Sequence, residues 1–232
     1  MTDKEFLQYE RHWTLRAVVL LGGFYGVYTY LARGGVFANA QTGNLVMLAA
    51  AIGQLNWHRA FMIMIPITAF GCGTALSETL NRKFASVGRL HLESYLILIE
   101  MILTVLLGFI PHSVPDQIAQ SILNFICSMQ YNTFRQSDGE PMAAKFCVNH
   151  VRTMALNIVK WRCDKDQLAS VIWREHLSML VMFICGGAIA AIACRHFDIR
   201  AIWVALILQT VILVHLLHAR AVKRRALKRD DV

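Results

Sequence analysis

Glu100, His150 and the cluster Asn39, Gln41, Thr42 and Asn44 are the residues of this chain whose types and settings invite chemistry. Glu100 lies near the middle of an apolar run with no charged neighbour in sequence. A carboxyl group in hydrocarbon costs at least about 2.5 kcal/mol, so it should face the protein interior, protonated or paired. There it could couple a proton or coordinate a cation, or it could simply hydrogen-bond a neighbouring helix. His150, with an ordinary imidazole value of about 6.5, is a candidate proton acceptor or a structural side chain. Thr42, Gly43 and Asn44 open a short apolar segment. Thr42 or Asn44 is expected to cap its first amides, and Gly43 to allow close backbone approach. A half-helix that starts inside a membrane also turns its free amides toward a cavity, where they can hold an anion or a polar solute group. Both readings, capping alone and capping with a pathway, follow from the same residues.

Other polar positions have simpler readings. Asn124, Gln130 and Asn132 punctuate one apolar run and suit interhelical hydrogen bonds or pathway lining. Gly71, Gly73, Gly186 and Gly187 suit close helix packing. Asn149 precedes His150 in a second polar segment. There is no HExxH, GxSxG, phosphate-binding glycine loop or pair of carboxylates on one helical face, so no enzyme, cofactor or catalytic residue is expected. Asp164, Lys165 and Asp166 read as a solvated loop cluster. The six cysteines show no CxxC or Cys/His spacing, which argues against both a metal site and structural disulfides.

The elements that must position these residues are helices in a bilayer. Hydrophobic residues make up 56% of the 232, charged residues only 16%, against about 25% in soluble domains. The mean hydropathy is +0.45. Six apolar runs, at about 14–33, 59–81, 93–110, 116–134, 175–194 and 200–219, are each long enough to cross about 30 Å of hydrocarbon. Alternating strand patterns are absent, so the expected fold is all-α, a polytopic bundle of six transmembrane helices in a single membrane domain. No cleavable signal peptide is evident.

Charge placement orients the bundle. With the N-terminus in the cytoplasm, 19 of the 23 Lys and Arg fall inside, and only Arg33, Arg59, Arg195 and Arg200 outside. Both termini are then cytoplasmic. The basic tail, 220–232, follows the last run and suits anionic lipid at the cytoplasmic face rather than nucleic acid.

A shift of 106 residues lays "FYGVYTYLARGGVFANAQTGNLVMLAAAI" (24–52) over "QYNTFRQSDGEPMAAKFCVNHVRTMALNI" (130–158). Tyr25 meets Tyr131, and Thr42-Gly43-Asn44 meets Val148-Asn149-His150. Further along, "YLILIEMILTVLL" over "VALILQTVILVHL" aligns Glu100 with Gln209. Each half, about 12–110 and 114–219, then reads span, short interrupted or re-entrant segment, span, span. Three crossings per half is odd, so the halves are inverted, an architecture of many transporters.

The stretch "GGVFANAQTGNLV", with "GGFYGVYTYL" and "MQYNTF", resembles the YoaK family of uncharacterised bacterial membrane proteins. The resemblance covers essentially the whole chain and implies a six-span inner-membrane protein. Two departures stand out: Gly26 where that family often has an acidic residue, and Val148-Asn149 where it has a Thr-Gly pair.

The expected function is transport or channel-like passage of a small polar or anionic solute or an ion, at a site between the halves. Asn39, Thr42, Gly43, Asn44, Glu100, Asn132, Asn149 and His150 are its candidate residues. The alternative is a structural or signalling partner that transports nothing. The glycine faces are compatible with a homodimer.

Overall fold

The computed structural model describes residues 3–83, 89–134, 136–137, 140–141 and 147–230. Among the described residues, eight α-helices run in order: α1 (Asp3–Ala32), α2 (Gln41–Gly53), α3 (Trp57–Lys83), α4 (Arg89–Leu107), α5 (Asp116–Thr133), α6 (Cys147–Cys163), α7 (Gln167–Phe197) and α8 (Val204–Asp230). A 3₁₀ turn, Asp198–Trp203, joins α7 to α8. The all-α expectation has one small exception, a two-residue antiparallel ladder pairing β1 (Gln136–Ser137) with β2 (Glu140–Pro141).

Helices occupy all six expected apolar runs, and the two short helices α2 and α6 lie where interrupted segments were expected. Among the described residues, three stretches are long and apolar enough to cross a membrane: Trp13–Ala32, Trp57–Lys83, and Gln167–Val222 through α7, the turn and α8. Helix α5 is not among them, for a visible reason. It buries Gln120, Asn124, Ser128 and Gln130, so its polarity faces protein. The outer surface carries Phe61, Ile102, Phe109, Val148, Ile184 and Ile207, all exposed. So extensive an apolar exterior marks a membrane-contacting surface.

Local chemistry sets several boundaries. Helix α1 ends at Gly34 and Gly35, whose φ of +68° and +81° suit glycine. Asp166 is no mere solvated loop residue: its carboxylate accepts from the Leu168 and Ala169 amides and caps α7. Asn56 accepts from the Arg59 amide at the start of α3.

The principal contacts are α1 against α7 and α3 against α5, with α2 on α3, α6 on α7, and α1 and α4 on α8. In lipid the hydrophobic effect does not drive helices together, so close van der Waals approach decides. A Cβ at Gly23 would strike the Phe183 carbonyl, one at Gly186 the Leu20 carbonyl, and one at Gly73 Ser128 and the Phe125 carbonyl. The packing expectation therefore holds at Gly73, Gly186 and Gly187. It fails at Gly71, where a Cβ would meet nothing. Leu21, Phe24, Tyr25 and Tyr28 of α1 form the centre of the core.

Candidate functional site

The candidate residues fall into three polar groups around α1 and α5. The first lies at the start of α2. Asn44 is fully buried; its Oδ1 accepts from the Phe37 amide at 2.9 Å, and its Nδ2 donates to the Phe37 carbonyl at 2.8 Å and to Gln41 Oε1 at 3.2 Å. Gln41 Nε2 in turn donates to Asn124 Oδ1 on α5 at 2.6 Å. Asn39 donates to the Gly22 carbonyl on α1 at 2.6 Å. A Cβ at Gly26 would come within 2.8 Å of Asn39 Oδ1, so glycine there makes room for the asparagine. Gly43 does the same for Phe37, whose ring would lie 3.1 Å from its Cβ.

These bonds correct the capping expectation. The N-cap of α2 is Ala40, with no side-chain cap bond, and Thr42 is exposed. Asn44 lies on the fourth residue of the helix, too far in to cap, and instead fastens the loop that precedes it.

The second group is central. Glu100 of α4 is 2% exposed and accepts from Gln130 Nε2 of α5 at 2.5 Å. It also interacts electrostatically with Tyr25 of α1. Gln209 of α8 donates to the Tyr25 hydroxyl at 2.8 Å and to Thr104 Oγ1 at 3.1 Å. Glu100 of α4 and Gln209 of α8 thus both act on the buried Tyr25, from two packed helices.

The third group is at α6. His150 is 3% exposed, and its Nδ1 lies 2.8 Å from Nδ1 of His176 on α7. Asn149 beside it is half-buried. Asn132 stands apart, donating to Glu78 of α3 at 3.3 Å near that helix's C-terminal end.

A cavity of about 20 Å³, roughly the room one water needs, is lined by His150 of the third group, by Gln130 of the second, and by the α1 residue that accepts from Asn39. Its wall includes Gly22, which holds Asn39; Gln130, which holds Glu100; and His150. Among the described residues, no three of His, Cys, Asp and Glu converge as a metal site. A larger groove of about 460 Å³ between α3 and α5, lined by Met62, Ile65 and Ile122, has an apolar wall without these groups.

Sequence reasoning missed Arg33, which it treated as an outside loop charge. The side chain is fully buried. Its Nε donates to the Tyr28 hydroxyl, and its Nη2 to the Leu107 and Ile110 carbonyls at 3.2 and 2.8 Å. Nη1 stands 3.8 Å from Asp116 Oδ1, and Gln120 binds the Arg33 carbonyl at 2.6 Å. Tyr28 then reaches Ile199 in the α7–α8 turn. One guanidinium therefore ties together the ends of α1, α4 and α5 and, through Tyr28, the turn. The five donors of arginine suit it to that task. His176, Thr104 and Gln209 were also missed, because their partners are distant in sequence.

The sequence model of a family described as a protein of unknown function, DUF1275, matches residues 14–215, which hold every residue of these three groups. The chain belongs to the DUF1275 family. YoaK is a member of that family, so the resemblance carried by "GGVFANAQTGNLV" is borne out. No curated protein and no solved structure matches this DUF1275 chain.

Proposed function

We propose that this DUF1275 protein is a small-solute or ion transporter, or a channel-like protein, of the bacterial inner membrane. It has six crossings in two inverted three-helix halves and both termini in the cytoplasm. The observation that carries the reading is the small cavity lined by Gly22, Gln130 and His150, because Gln130 also bonds the buried Glu100 and His150 belongs to the short helix α6. Irregular backbone and polar groups at membrane depth are tolerated where they line such a space.

Helix pairings support the inversion. If α1–α4 and α5–α8 are the two halves, α1 on α7 has its counterpart in α5 on α3, and α2 on α3 has its counterpart in α6 on α7. Asn44 and His150, aligned by the repeat, are each the fourth residue of a short helix and each buried. The charge bias supports α2 toward the outside and α6 toward the cytoplasm. The basic tail suits anionic lipid.

Flux into proteoliposomes across a panel of ions and small polar metabolites tests the reading. Glu100→Gln is expected to lower flux of the transported species at least tenfold while the protein stays folded. Flux unchanged in Glu100→Gln and Asn44→Ala across that panel would overturn it. The dense bonding around Asn44 favours a second reading for that region alone, a purely structural fastening within a non-transporting membrane partner.

A further inference from the structure

We propose that the exposed face of α6 and the basic residues where α6 meets α7 form a binding site for an anionic phospholipid. Its acyl chains lie along α6, and its phosphate sits among Lys160, Arg162 and Arg174. The site rests on the apolar exterior of the molecule, and only its use in transport rests on the reading above.

Helix α6 is built inside out. Of its 17 residues it buries the polar His150 and Asn157. Val148, Val151, Leu156 and Val159 stand exposed instead, Val148 at 80%. With the exposed Ala155 they recur every three or four residues and form one stripe. A surface helix that faces water shows the reverse pattern, so this stripe is matched by hydrocarbon. Arg152 interrupts it, where a long apolar stem lets the charge reach toward headgroups. After Val159 the exposed residues turn abruptly charged, with Lys160, Arg162, Asp164, Lys165 and Asp166. That change marks where the hydrocarbon ends.

The basic charges at this edge are unmet. Helix α6 holds no Asp or Glu. Among the described residues, Arg152, Lys160, Arg162 and Lys165 have no carboxylate within ion-pair reach. Asp166 is committed to the first amides of α7. The rings of Trp161 and Trp173, 5.8 Å apart, join the two helices here, and the exposed Arg174 is held 5.5 Å over Trp173. Tryptophan beside basic residues suits the membrane–water boundary. A guanidinium fork matches a phosphate in shape, and a lysine adds a point charge. Lys160 and Arg162 also complement the dipole of their own helix end, but that accounts neither for Arg174 on α7 nor for the exposed valines. The basic tail belongs to α8, whereas the principal contact of α6 is with α7. Because α6 also supplies Cys147 and His150 to the cavity wall, a lipid seated here braces one side of the proposed pathway.

Native mass spectrometry of the full-length protein, titrated with phosphatidylglycerol or phosphatidylcholine, tests the site. The first phosphatidylglycerol is expected to bind about tenfold more tightly than phosphatidylcholine. In Arg162→Gln/Arg174→Gln that preference is expected to disappear. It should persist when Lys223, Arg224 and Arg225 of the tail are changed to Gln. Near-ultraviolet circular dichroism of the tryptophan pair reports whether the variant keeps its fold. Should Arg174→Gln disturb the pair, Lys160→Gln/Arg162→Gln on α6 alone carries the test. A preference that survives the α6 changes, or one that vanishes with the tail changes alone, overturns the proposal. So does displacement of the lipid by equimolar inorganic phosphate, or a mass showing a second copy bound in place of lipid and lost on Val151→Asn/Val159→Asn. None of these outcomes bears on flux. A lipid preference that behaves as expected in a protein that moves no solute would sustain the site and overturn the transport reading instead.

Discussion

Helices α2 and α6 are the same kind of element, short helices whose fourth residue is a buried polar group, yet they are held differently. Asn44 of α2 spends both ends of its amide on the backbone at Phe37, and its neighbours Asn39 and Gln41 reach α1 and α5 directly. His150 of α6 bonds the ring of His176 on α7, and beside it lies a cavity instead of a fastened loop. The difference teaches that the start of α2 is built as a latch onto backbone, whereas α6 is joined to α7 by a ring-to-ring contact beside a cavity.

The largest expected effect tests the latch. Arg33→Met should lower unfolding stability by roughly 3–5 kcal/mol, because the Tyr28 hydroxyl, two carbonyls and Asp116 lose a buried charge partner. Arg33→Lys should recover only part, since one ammonium cannot span the same fork. Denaturant titration in detergent measures both, and a loss below about 1 kcal/mol would remove Arg33 from the latch.

The comparison itself is tested next. Asn44→Ala should cost roughly 2–4 kcal/mol, as two backbone groups each lose a partner at about 1–3 kcal/mol. His176→Gln at neutral pH should cost less than about 1 kcal/mol, because glutamine can still bond His150. Equal losses in the same denaturant assay would erase the distinction between the two helices.

The smallest effect concerns the α7–α8 turn beneath Tyr28. A hydrogen bond from His112 at 2.6 Å holds the Asp198 carboxyl below its ordinary value. A carboxyl lowered in this way favours the folded state above its unfolded value of about 3.9, and that support is lost as pH falls through the folded value. Wild-type Tm should therefore drop slightly more than that of Asp198→Asn between about pH 5 and pH 3, the difference staying small because the pair is exposed. A larger drop in Asp198→Asn would reverse the assignment.

Much of the helical fold was legible because apolar runs of bilayer length are a strong one-dimensional signal. The apolar runs are visible without any knowledge of neighbours, and the polar gaps mark α2 and α6. The site was legible in part. Glu100 and His150 stood out because an ionisable group amid apolar residues is conspicuous. Thr42 was misjudged because a Thr-Gly-Asn run looks like a helix start, and only the backbone shows that the helix begins before it. Arg33 was misjudged because a basic residue at the end of a span usually marks an interface. Its burial depends on Leu107, Ile110 and Asp116, more than seventy residues away.

The sequence by itself determined that this chain is helical and belongs to the DUF1275 family, with stretches long and apolar enough to cross a membrane. Composition and period act along the chain, so no partner is needed to read them. Only the tertiary structure decided that Asn44 would fasten a loop, that Glu100 would meet Gln130 beside Tyr25, and that His150 would face His176 over a cavity. Hydrogen bonds reach about 3 Å, and which groups come within that reach is settled by how helices pack.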